Sequence, residues 1–234
     1  MTNINFYKVL NSKIKNNECL VGIVGVGYVG IQLFINFCKK RINTIGFDRD
    51  KGKISKLKRG ISPFSHIEDK KIKPLKNYGS YANGFKDIKK CDVIIICLPT
   101  PVKKTTHPDL SVVENSFKKI KKFLKRGQLI ILESTTYPGT TDELLAEVLE
   151  ESGLVKDVNF FLAYSPERED PGNEDYTTST IPKIVGADSN EAREMAEALY
   201  ELIISIENKF GLVHAGAHAM DIMRMEKGYL HWGH

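Results

Sequence analysis

The sequence contains no apolar run approaching the roughly 18 residues of a membrane-spanning helix; its longest, Val93 to Leu98, has the length of a buried strand. Met1 to Glu18 is polar with scattered lysines and lacks a signal-peptide apolar stretch, so the cytoplasm is the expected compartment and no membrane partner is expected. The 4 cysteines show no CxxC spacing. Cys97 falls inside Val-Ile-Ile-Ile-Cys-Leu and Cys38 on a predicted helix, which favours buried reduced thiols over disulfides or a metal site. Internal repeats and low-complexity segments are absent. Charge is nearly balanced, with 34 Lys+Arg against 29 Asp+Glu and a net charge of +5. The densest basic run, Lys118 to Arg126, lies opposite a helical apolar stripe of Val113, Phe117, Ile120, Phe123 and Leu124. The one aromatic within that run, Phe123, belongs to the apolar stripe rather than the basic face, so a solvated helix face is expected and no nucleic-acid partner.

With 41% hydrophobic and 27% charged residues, the 234-residue chain has the composition of a globular protein. At roughly 150 residues per domain it holds between one and two domains. Strand-length apolar runs alternate with amphipathic helical stretches, the signature of an α/β fold with a doubly wound parallel sheet. Strands are predicted at Leu20–Val24, Thr44–Phe47, Val93–Leu98, Leu129–Leu132, Phe160–Ala163 and Lys183–Val185. Helices are predicted at Val29–Lys40, Lys51–Lys58, Ser111–Leu124, Thr141–Glu151 and Asn190–Ile206. Thr140 with Glu143, and Asp188 with Glu191, have capping-box spacing at two helix starts. The long polar stretch from Ser165 to Pro182 reads as a functional loop.

The first predicted strand runs directly into Gly25-Val26-Gly27-Tyr28-Val29-Gly30, a G-x-G-x-x-G that opens a helix. Asp48 ends the next strand at the spacing the dinucleotide fingerprint requires. Gly25 permits the tight turn, Gly27 lets the backbone approach a pyrophosphate, and Gly30 allows helix to pack on strand. The helix N-terminus adds unpaired N–H groups and a partial positive charge. Asp48 would accept hydrogen bonds from a ribose 2′-hydroxyl. Arg49 raises NADP as an alternative, but a carboxylate in the ribose position repels a 2′-phosphate, so NAD is the expected cofactor.

Ligands of open α/β sheets bind beyond the carboxyl ends of the strands. Leu98-Pro99-Thr100-Pro101 follows the third predicted strand, with one hydroxyl held between two prolines. Glu133-Ser134-Thr135-Thr136-Tyr137-Pro138-Gly139-Thr140-Thr141 follows the fourth and clusters hydroxyls. Tyr164-Ser165-Pro166-Glu167-Arg168 follows the fifth and sets an acid beside a base.

Together these motifs resemble the UDP-glucose/GDP-mannose dehydrogenase family, above all its branch acting on UDP-N-acetylglucosamine and UDP-N-acetylmannosamine. The resemblance implies a Rossmann-like NAD-binding domain. It also implies oxidation of a sugar C6 hydroxyl to a carboxylate in two NAD-dependent steps, through an aldehyde and a cysteine thioester. By motif match, Tyr28, Val29 and Asp48 would contact the adenosine half of NAD, Thr100 would lie near the cofactor, and Thr141 would add a further contact. Thr135 would help hold a catalytic water, Glu167 would serve thioester hydrolysis, and Arg168 and Glu169 would contact the sugar nucleotide. The implied substrate is a UDP-N-acetylhexosamine, and a homodimer is left open.

The family's central-helix lysine and its nucleophilic cysteine in G-x-C-[IL]-P have no match in these residues, so turnover by this chain alone is not expected. A non-catalytic NAD- or nucleotide-binding module is the alternative reading. The expected organisation is a helical lead-in over 1–18, a Rossmann domain over 19–206 and a short helical tail over 207–234. The tail, from Phe210 to His234, resembles a fragment of the folate-binding aminomethyltransferase family, with Glu226 at the folate-contacting glutamate. Of the tail histidines, His214 and His218 alone have helical metal-site spacing, and no acidic partner completes them, so no metal is expected.

Overall fold

In a computed structural model the described residues are 4–82, 84–101, 108–166 and 183–203. The chain divides into two units at Ile204–Ser205, and everything described below belongs to the first.

Six strands form one sheet: β1 Val21–Val24, β2 Thr44–Phe47, β3 Gly79–Tyr81, β4 Val93–Ile96, β5 Gln128–Leu132 and β6 Phe160–Tyr164. Their order is β3-β2-β1-β4-β5-β6, and every pairing is parallel. This is the Rossmann order, with its topological switch point between β1 and β4. The helices are α1 Phe6–Lys15, α2 Tyr28–Lys39, α3 Lys51–Arg59, α4 Asp69–Ile72, α5 Ser111–Ile120, α6 Ala146–Glu150 and α7 Asn190–Glu201.

Strand side chains alternate between two cores because successive Cβ atoms point to opposite faces. Val93, Ile95, Leu129 and Ile131 face a core shared with α1, α2 and α7. Ile94, Ile96, Ile130 and Leu132 face a second core built with α5 and α6. Both faces are covered, which is why the strands read as continuous apolar runs. A fully buried ring such as Phe34 or Phe117 contributes about 1.5–3 kcal/mol relative to leaving it exposed.

The N-terminal lead-in forms α1, capped by Asn5, whose side chain accepts the Lys8 N–H at 3.0 Å. Leu10 and Ile14 bury its inner face. Asp92, just before β4, ties this helix to the sheet: it accepts from Lys13 Nζ and from the Leu20 N–H, each at 3.0 Å.

Four expectations are corrected. Lys183–Val185 is not a strand; Gly186 makes a single antiparallel bridge to Tyr164, so this segment touches β6 at one point while running the opposite way. The sixth strand is instead β3, a short edge strand whose Gly-Ser-Tyr sequence carries no apolar run. Neither capping box forms. Ser189, not Asp188, caps α7 by accepting the Ala192 N–H at 3.2 Å, while Asp188 pairs with Lys156. Thr140 turns its hydroxyl to Tyr137 O, and the stretch Thr140–Leu145 is a π-helical turn in which the Ala146 N–H reaches back to Thr141 O. Single π turns of this kind recur at functional sites. Among the described residues no helix is long and apolar enough to cross a membrane.

Candidate functional site

The turn after β1 is fixed by backbone contacts that only glycine permits. Gly25 has φ +95°, and a Cβ there would lie 2.4 Å from the Cys97 carbonyl oxygen. A Cβ on Gly30 would lie 2.0 Å from the Gly25 carbonyl oxygen, so α2 could not approach β1. Gly27 is different: a Cβ there meets nothing within 4 Å. Packing therefore explains two of the three glycines. The third borders open space at the N-terminus of α2, where a ligand backbone would come close.

Asp48 follows β2. One carboxylate oxygen accepts the Asp50 N–H at 2.9 Å, and the other receives Lys53 Nζ at 2.7 Å. Phe47 and Phe85 stack beside it at 6.3 Å between ring centroids. Tyr28, 62% exposed, is stacked on His66 at 5.2 Å and sits 5.5 Å from Phe64.

Across the switch point, the ends of β4 and β5 are laced together by hydroxyls. Ser134 Oγ donates to the Leu98 carbonyl at 2.6 Å and accepts the Leu98 N–H at 3.1 Å. Thr100 Oγ1 donates to the Thr135 carbonyl at 2.7 Å. The glycine turn, Asp48, Thr100 and Thr135 all line one cleft of about 1170 Å³. Its volume exceeds the roughly 300–1,000 Å³ of pockets for compact small molecules, as an elongated dinucleotide requires.

Of the residues singled out from sequence, Gly25, Gly27, Tyr28, Val29, Asp48, Thr100 and Thr135 line this cleft, and Gly30 packs beneath it. Thr141 stands apart, in a second cavity of about 350 Å³ with Thr136, Tyr137, Tyr164 and Asp188. Glu167, Arg168 and Glu169 lie outside the described residues, as do Glu226 and the tail histidines. Lys53 and Phe64, which the sequence did not single out, also line the cleft, as does Ser134 of the hydroxyl cluster; Cys97, expected to be a buried thiol, instead lines it partly exposed at the end of β4. Lys53 was legible in principle, because it sits in the first turn of α3, directly above the acid that ends β2.

The cysteines separate sharply. Burial pushes the thiols of Cys19, Cys38 and Cys91 up to about 12, so they are protonated and inert at neutral pH. Cys97 lines the cleft and is partly exposed. Brief alkylation of the folded protein should therefore label Cys97 first, and bound NAD should slow it. Peptide mapping that found Cys19, Cys38 or Cys91 modified ahead of Cys97 would contradict this assignment.

Residues 19–204 match the NAD binding domain of UDP-glucose and GDP-mannose dehydrogenases. The chain belongs to the UDP-glucose/GDP-mannose dehydrogenase family. Over 186 residues it is 38% identical to the UDP-N-acetyl-D-glucosamine 6-dehydrogenase of Pseudomonas aeruginosa, covering 79% of this chain and 44% of that protein. The solved UDP-D-ManNAc dehydrogenase of Pyrococcus horikoshii superposes with a TM-score of 0.72 at 31% identity, covering 80% of this chain and 45% of that one. The NDP-N-acetyl-D-galactosaminuronic acid dehydrogenase of Methanosarcina mazei Go1 superposes with a TM-score of 0.76 at 27% identity, covering 93% and 49%. The chain thus spans less than half the length of these relatives. Its cofactor is NAD, and the Rossmann sheet is the family's NAD-binding domain. Helix α1 precedes the matched region.

Proposed function

We propose that this dehydrogenase-family chain supplies the cofactor half of a UDP-N-acetylhexosamine 6-dehydrogenase, which oxidises the sugar C6 hydroxyl to a carboxylate. The observation that carries the reading is one cleft spanning the switch point, with the open Gly27 in the middle, a carboxylate at one end and hydroxyls at the other. In this reading the N–H groups at the start of α2 receive the pyrophosphate beside Gly25, Gly27, Tyr28 and Val29. Asp48, steadied by Lys53, accepts the adenosine ribose hydroxyls, and the Phe47–Phe85 wall suits a flat purine. Thr100 and Thr135 then border the nicotinamide, with Thr135 holding the water used at the reacting centre. Bound NAD supplies the hydride acceptor. Glu167 as hydrolytic base, Arg168 and Glu169 as sugar-nucleotide contacts, and Thr141 as a cofactor contact belong to the same proposal, with the cytoplasm as its compartment and a homodimer as its assembly.

Two measurements test it. Calorimetric titration should show NAD binding more tightly than NADP. In Asp48→Ala, loss of the charge-assisted hydrogen bond should weaken NAD by about 1.5–3 kcal/mol. The same change releases Lys53, and Arg49 lines the cleft beside it, so NADP binding should improve; tighter NADP binding by the parent would reject the role of Asp48. For the substrate, the 234-residue chain given NAD and UDP-N-acetylglucosamine or UDP-N-acetylmannosamine should bind NAD without sustained NADH formation. Positioning C6 against the cofactor contributes about 7–11 kcal/mol where it is complete. The matched region covers 44% of the Pseudomonas relative, so we place most of that hold outside these residues. Steady production of NADH, followed by absorbance, would show that the chain holds the sugar itself.

A further inference from the structure

A charged cluster lies behind the β5 end of the cleft, and cofactor recognition as described leaves it unused. The Glu133 side chain has no solvent exposure, although the residue lines the cleft. Its Oε1 accepts from Lys183 Nζ at 2.8 Å and from the Tyr200 hydroxyl at 2.5 Å. The Lys183 side chain is 5% exposed, and its ammonium lies 5.2 Å from the centre of the Tyr200 ring. Burial, reinforced by the Glu133 charge, pushes the Tyr200 phenol well above its ordinary range, so it remains a proton donor to the carboxylate. Three distant parts of the chain converge here: the end of β5, the segment entering at Lys183, and α7.

A buried ion pair is a costly way to stabilise a protein, and well-packed apolar groups usually do as well. Its position beside the cofactor gives it a second use. A dinucleotide with its pyrophosphate on the β1 turn and its adenosine at Asp48 crosses the switch point, which brings its nicotinamide to the ends of β4 and β5. Nicotinamide is the part of the cofactor whose charge changes: the ring is a cation when oxidised and neutral when reduced. Fixed charges shielded from water act on it more strongly than exposed ones would.

We infer that the Glu133–Lys183–Tyr200 cluster sets the relative affinity of the site for oxidised and reduced cofactor, with Lys183 and Tyr200 as positioning residues that hold Glu133. The inference rests on the placement of the nicotinamide at Thr100 and Thr135 proposed above. Glu133 favours the cationic ring, and Lys183 opposes it. Tyr200 draws negative charge from the carboxylate through its hydrogen bond.

The experiment measures dissociation constants for NADH by fluorescence titration and for NAD by displacement, using the full 234-residue chain. The variants are Glu133→Gln, Lys183→Met, Tyr200→Phe and the double substitution Glu133→Gln/Lys183→Met. Glu133→Gln removes the negative charge beside Lys183, so the ratio of the NAD constant to the NADH constant should rise about tenfold, the equivalent of about 1.4 kcal/mol. Lys183→Met should lower that ratio, and Tyr200→Phe should lower it less. The double variant, which removes both charges, should return it to within about twofold of the parent. If Lys183→Met fails to fold, Glu133→Gln and the neutral double variant still decide the matter. A cluster that only braces the fold would shift both constants together; an unchanged ratio in Glu133→Gln overturns the inference and leaves the cofactor placement standing. A Thr135→Val variant that alters neither constant would overturn the placement, and the inference with it.

Discussion

Replacing Gly30 with alanine should destabilise the protein by about 3 kcal/mol and abolish measurable NAD binding. The added methyl would sit 2.0 Å from the Gly25 carbonyl oxygen, a backbone atom that cannot rotate away. Relief requires α2 to move off β1, and the turn between them moves with it. Gly27→Ala separates the two effects. Gly27 has φ −81°, which alanine adopts without strain, and its Cβ would touch nothing within 4 Å. This variant should fold with a stability within about 0.5 kcal/mol of the parent. It should nevertheless lose NAD affinity at least about tenfold, because the methyl fills the space the pyrophosphate needs. Urea denaturation and calorimetry on the pair read both quantities. If Gly27→Ala bound NAD normally, the pyrophosphate would have to lie elsewhere.

Lys183→Met should cost about 3–5 kcal/mol of stability, since it removes the ammonium 2.8 Å from a Glu133 carboxylate whose side chain has no solvent exposure. The partner change should largely reverse it. Glu133→Leu/Lys183→Met, which removes both charges, should lie within about 2 kcal/mol of the parent. Denaturant midpoints for the parent, each single variant and the double variant form a cycle that isolates the pair. A Lys183→Met protein as stable as the parent would mean that water or another cation reaches Glu133.

Much of the cofactor site was legible because its chemistry is local. The glycine turn, the strand before it and the acid after β2 follow one another at a fixed spacing, and the backbone contacts of Gly25 and Gly30 supply the reason. The central strands were legible for a different cause: burial on both faces makes them continuous apolar runs. What escaped was long-range or short. The edge strand β3 has three residues and no apolar pattern. Lys183 was assigned to a strand because it begins an apolar stretch, yet its side chain is taken by Glu133, fifty positions away in sequence. No spacing rule pairs two such residues. The expected caps failed because neighbours offered better partners: Ser189 was available for α7, and Lys156 claimed Asp188.

The strand order also governs how the chain reaches this state. β1, at Val21–Val24, pairs on one side with β4 at Val93–Ile96, so the middle of the sheet cannot close until the chain has been made past residue 96. Until then a nascent chain carrying β1, β2 and β3 presents the unpaired edge of its most apolar strand. Exposed edges of that kind recruit other chains, and contacts this far apart in sequence form slowly. Fragments ending between β3 and β4 should therefore aggregate during synthesis, whereas chains extended through β6, in which β1, β4 and β5 are each paired on both sides, should stay monomeric long enough to fold. The parallel order that creates a crevice for the dinucleotide thus also opens a window of vulnerability on the ribosome.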